Sequence, residues 1–119
     1  MNPVGEFLLT LLHAVTNTHI LHLQSQSYAQ HVALGDFYES LDDLTDSLIE
    51  AIQGLTGEIV QYPADYYAPA ATAMDELEDL AEYVRETRSA LPQESEIQNI
   101  VDEIAALIDS TCYKLKFLK

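Results

Sequence analysis

Residues 28–55 carry two different stripes at helical spacing, and this constrains the chain more than any other feature. Leu34, Phe37, Leu41, Leu44, Leu48, Ile52 and Leu55 recur at intervals of three and four. At about 100° per residue they gather in one narrow sector of a helix. His31, Gly35, Glu39, Asp42, Asp46 and Glu50 fall in a second sector, roughly 100–200° away. A segment patterned this way has one apolar face for a core and one face of imidazole and carboxylate.

The neighbouring segments follow the same period. Asn2-Pro3 is an N-cap residue followed by proline, a good helix start. Val4, Leu8, Leu11, Leu12 and Val15 then continue onto His19 and His22, which places both histidines toward a packed face. The first helix is expected over residues 3–24. Ser25 or Ser27 caps a second helix from Tyr28 to about Gln53, ending at Gly54.

Residues 54–71, GLTGEIVQYPADYYAPAA, read as a long connection with a short helical piece near Ala64–Tyr67. Thr72, with Asp75 three residues on, resembles a capping box and opens a third helix to about Leu91, stopped by Pro92. Its core side is Met74, Leu77, Leu80, Ala81 and Val84. Ser95, with Gln98, caps a fourth. That helix should bury Ile97, Ile100, Val101, Ile104, Leu107, Ile108, Thr111, Cys112, Leu115 and Leu118. No strand pattern or internal repeat appears. The expectation for residues 1–119 is one all-α domain, a ferritin-like four-helix bundle, with the long connection between helices 2 and 3 making an up-down-down-up path.

Charge narrows the function classes. Twenty acids against five bases give a formal net charge of −15. No basic patch supports nucleic-acid binding, and an anionic membrane is disfavoured. Three bases fall in the last seven residues, where they complement a helix dipole. The single cysteine, Cys112, excludes an intrachain disulfide and reads as a structural thiol. Glu6 stands where a signal peptide would be basic, and no apolar run approaches the ~20 residues of a membrane span. A cytoplasmic protein is expected.

Imidazoles with carboxylates suit iron, zinc or manganese better than calcium or magnesium. The sequence has no Glu-x-x-His, so a di-iron site within one chain is not expected. His31 and Asp46, fifteen residues apart, are separated by about 22 Å along one helix. A two-fold axis crossing helix 2 near residues 38–39 would bring His31 of one copy to Asp46 and Glu50 of another, making two equivalent sites. Gly35 lies near that axis, where a missing side chain permits close helix approach. Asp46 and Glu50 share a face at i and i+4.

These spacings resemble the mini-ferritins, the Dps family. In that family two histidines twelve residues apart on one chain meet an aspartate and a glutamate, four residues apart, on the other. The resemblance selects His19, His31, Asp46 and Glu50 as metal ligands, with His22, Asp36 and Asp42 as second choices. It implies iron as substrate, zinc or manganese as alternatives, oxidation by peroxide or oxygen, and a homodimer through helix 2 or a higher oligomer. It suggests a small relative, located in the host cytoplasm if phage-encoded. Three departures stand out. Gly35 occupies a position where the family usually has a further aspartate, Ile20 replaces its tryptophan, and there is no basic N-terminal tail. The competing reading is a non-enzymatic helical assembly protein that kept the fold and lost the metal centre.

Overall fold

Side-chain caps open three of the four helices. In the computed structural model, which describes residues 2–119, Asn2 Oδ1 accepts from Gly5 N at 3.0 Å and starts α1 (Pro3–Gln24). Ser27 Oγ accepts from Gln30 N and starts α2 (Tyr28–Thr56). Thr72 Oγ1 accepts from Asp75 N and starts α3 (Ala73–Thr87). A 3-10 turn, Arg88–Ala90, leads to α4 (Ser95–Phe117). Among the described residues there is no strand.

Several expected boundaries shift. α2 runs through Gly54 and stops at Gly57, whose φ of 72° suits a residue without Cβ and whose N–H bonds Gln53 O at 2.9 Å. Residues 64–67 are not helical; the connection is irregular, with bends at Ala64 and at 71–72. α3 ends at Thr87, four residues short of Leu91. Ser95 is the first residue of α4 and does not cap it; Glu94 sits at the cap position without a side-chain bond. The Gln98 amide donates instead to the carbonyls of Pro92 and Arg88.

The core joins Phe7, Leu8, Leu11 and Ala14 of α1 with Phe37, Leu41, Leu48 and Ile52 of α2. Leu77, Leu80 and Val84 of α3 and Ile97, Val101, Ile104 and Ile108 of α4 complete it. The expected apolar faces of α2, α3 and α4 largely point inward. Leu55 and Leu118 are exceptions and are exposed. The buried stripe of α1 runs through Leu11, Ala14, Thr18 and Leu21. That leaves His19 exposed, about 100° round the helix from Thr18, and His22 half-buried. The packed position expected for both is therefore corrected for His19; the His22 ring packs against Gly35 and His31.

The closely packed pairs are α1–α2, α2–α4, α4–α3 and α3–α1, which form a ring. Side-chain contacts give the directions. Asn2 meets Gln61, just beyond the end of α2, so α1 and α2 are antiparallel. The connection then follows α1 to its far end, where Ala73 packs with Leu21, Leu34 and Leu115. It covers about 28 Å, the rise of nineteen helical residues. α3 returns beside α1, with Tyr83 stacked on Phe7 at 5.8 Å. The molecule measures 44 × 28 × 22 Å. Among the described residues no helix is long and apolar enough to cross a membrane.

Candidate metal site at the α1–α2 seam

The three-residue link Ser25–Ser27 folds α2 back on α1 and sets His22 against His31. His31 Nδ1 lies 2.9 Å from His22 O, and His22 Nδ1 lies 2.5 Å from His31 O. A carbonyl oxygen can only accept, so both Nδ1 atoms carry hydrogen, and it is Nε2 that holds the lone pair in the neutral form of each ring. This is how metal-binding imidazoles are commonly oriented, through an N–H given to a carbonyl. The two rings stack at 3.7 Å, 18° from parallel.

Two aromatic contacts extend the seam. Tyr38 stacks on His19 at 4.3 Å and meets His22 edge-on at 5.4 Å. His19 and His22, at i and i+3, have ring centres 6.0 Å apart. Gly35 faces this group. A Cβ there would lie 3.0 Å from His22 Cε1 and 3.3 Å from its Nδ1. The His22 ring thus fills the space that a side chain at position 35 would need.

The predicted ligands divide into two groups. His19, His22 and His31 come together. Asp36, Asp42, Asp46 and Glu50 lie exposed along α2, with Asp46 and Glu50 about 22 Å and more from His31 along the helix. Among the described residues no three His, Cys, Asp or Glu side chains converge as a metal-holding group. A coordinating imidazole holds its ion close to the ring plane, so rings stacked at 3.7 Å cannot share one ion. Each of His22 and His31 would need its other ligands elsewhere, and joining them to Asp46 and Glu50 takes a second copy.

A second polar region was not apparent from sequence. A cavity of about 410 Å³ lies between α1, the connection and α3, lined by Glu6, Thr10, Asn17, Tyr67, Glu76 and Asp79 among others. Asn17, only 5% exposed, donates to Tyr67 O at 2.9 Å. His13 Nδ1 accepts from Tyr67 N at 3.2 Å. Burial pushes the Glu76 carboxyl above its ordinary value, opposed by the Ala70 N–H and Asn17. Burial also raises the Tyr67 phenol, with the Asp65 and Glu6 carboxylates adding. Cys112 is half-buried, and burial likewise raises its thiol.

Fold and seam define an all-helical, acidic protein with an imidazole cluster where α1 meets α2. The model of a family of unknown function, DUF5856, matches residues 22–115, and the chain belongs to that family. The matched span takes in His22, His31, Asp46 and Glu50 and leaves out His13 and His19. Neither the search of curated proteins nor that of solved structures gives a match.

Proposed function

We propose that this chain is a ferritin-like four-helix bundle that binds iron between two copies and oxidises it, for storage or detoxification. The observation that carries the reading is the pair of Nδ1–H to carbonyl contacts at His22 and His31, which leaves both Nε2 lone pairs free. The helix ring α1–α2–α4–α3, with its long connection along α1, supports the ferritin-like path. In the dimer, His31 and His19 of one copy face Asp46 and Glu50 of the other across a two-fold axis near residues 38–39. His22 is the alternative to His19 as ligand. Iron(II) is the substrate. It gives up one electron per ion to peroxide or oxygen, while the imidazoles and carboxylates hold it and set its potential. Zinc or manganese fit the same donors.

One observation favours a second reading, a helical assembly protein without metal chemistry. The position where a further carboxylate would sit is Gly35, and its space is taken by the His22 ring.

An anaerobic iron(II) titration of the metal-stripped chain, followed by peroxide, separates the two. The expected result is saturable binding near one iron per chain, oxidation faster than in buffer, and loss of both in His31→Ala and in Asp46→Ala with helical content kept. Absence of saturable binding favours the assembly reading; unchanged binding in both variants overturns the inter-subunit site.

A further inference from the structure

The two ends of the molecule differ in charge, and both leave apolar side chains in water. At one end the last turns of α4 meet the α1–α2 link, where Leu118 and Lys119 line a surface with Ser27 and Gln30. Phe117 is 65% exposed and Tyr28 83% exposed. Tyr113 packs on Phe117 at 5.6 Å, with Lys116 Nζ 5.4 Å from the same ring. Lys114, Lys116 and Lys119 are three of the five bases in the chain, and residues 7–35 contain no acid. Asp75 and Glu76, in the first turn of α3, and Glu78 and Asp109, near Cys112, are carboxylates at this end.

The opposite end is acidic and holds a groove. A cavity of about 220 Å³ is lined by Val4, Ile59, Val60 and Pro92 and by polar groups that include Asn2 and Glu58. Ile59 is 72% exposed. Glu86 and Glu94 lie on the same end, beside the start of α1 and before α4. Two cations lie there, Arg85 in the last turn of α3 and Arg88, and Arg88 is already paired with Asp102 at 2.6 Å.

We propose that this groove receives the aromatic and lysine end of a second copy, so that copies associate head to tail. The charges are complementary, and each side buries apolar surface that is otherwise wet. An end face of 28 × 22 Å limits the contact. It gives roughly 500 Å² per partner, in the range of weak, transient interfaces. Because the two patches differ, the contact is heterologous. It propagates instead of stopping at two copies. It leaves the α2 flank free and stands independently of any metal. Repulsion between copies of net charge −15 is screened beyond about 8 Å at physiological salt, so the local pairing decides.

Sedimentation velocity and light scattering on the full metal-stripped chain at physiological salt, from micromolar to millimolar, test this. The expected result is a mass that keeps rising with concentration past the dimer. Lys114→Glu with Lys116→Glu should weaken association by about fivefold or more. Adding Glu58→Lys and Glu94→Lys to that variant should restore it, since the swap leaves the net charge unchanged. Circular dichroism checks that each variant keeps its helices. A constant mass, growth that stops at a dimer, or growth unchanged in the lysine variant would overturn the proposal. So would binding to phosphatidylserine vesicles by a chain that stays monomeric without them, which would assign the basic end to a membrane.

Discussion

The two links at the ends of α2 are held by histidine in opposite ways. In the short link, Ser25–Ser27, His22 and His31 donate Nδ1–H to each other's backbone carbonyls. In the long connection, His13 Nδ1 accepts from the Tyr67 backbone N–H. The first arrangement satisfies carbonyls at a helix turn and leaves Nε2 free for chemistry. The second uses the ring as an acceptor to tie down an irregular segment that has no ladder of its own. Residue type alone does not tell these apart; the group opposite the ring does. The proposed metal site draws on the short link, and the long connection is a strap.

Glycine substitutions break this comparison most strongly. Gly5 faces the strap, and a Cβ there would fall onto the Gln61 carbonyl oxygen, which is backbone and cannot swing aside. Gly5→Ala should cost about 2 kcal/mol even after the gain in helix propensity. Gly35 faces the short link, where the obstacle is the His22 ring at 3.0 Å. A side chain can yield a few tenths of an ångström, so Gly35→Ala should fall within about 0.5 kcal/mol of wild type, strain offsetting propensity. Urea midpoints at constant m check both. Equal costs at the two sites would mean that backbone and side-chain obstacles do not differ here.

Much of the helical layout was legible because it is local. Asn2-Pro3, Ser27 and Thr72 mark real starts, and the stripes of α2, α3 and α4 point largely inward. Gly54 misleads because its propensity cost, about 1 kcal/mol, is smaller than what continued packing and the left-handed cap at Gly57 supply. On α1, projecting an apolar stripe onto His19 fails since the buried line passes through Thr18, whose hydroxyl bonds Ala14 O and so can be packed. The His22–His31 stack has no periodic signature, as it crosses a link. Asn17 and Glu76 are farther apart in sequence still. Nothing short of the folded strap puts them on one cavity.

Truncating a single contact gives a smaller and more local readout. Asn17→Ala leaves the Tyr67 carbonyl without its donor beside a largely buried position, at a cost of about 1–2 kcal/mol. His22→Ala removes one hydrogen bond, Nδ1–H to His31 O, and the stack on His31, while its own carbonyl stays to accept from His31; it should cost about 1 kcal/mol or less. Amide hydrogen exchange sharpens the contrast. Asn17→Ala should speed exchange at Tyr67 and Ala70 and leave residues 28–34 protected, with the reverse for His22→Ala. Exchange that accelerates equally in both segments in both variants would mean that the strap and the hairpin open as one unit.

The smallest effect is a pH dependence, and its sign follows from Glu76. Burial raises its folded carboxyl above the ordinary value, with the Ala70 N–H and Asn17 opposing. In the window between the unfolded and folded values the native state binds more protons, so stability falls as pH rises through it. The penalty is complete above the folded value and absent below the unfolded one. Repulsion among the other acids acts in the same direction. Glu76→Gln keeps an oxygen for Ala70 N, which now bonds Oε1 at 2.8 Å, and removes the buried charge. The variant should match wild type in acid and be modestly more stable at neutral pH, with a shallower slope between. Parallel stability curves for the two proteins would mean that the carboxylate at the strap is fully compensated, and that the cavity is held by Asn17 and His13 alone.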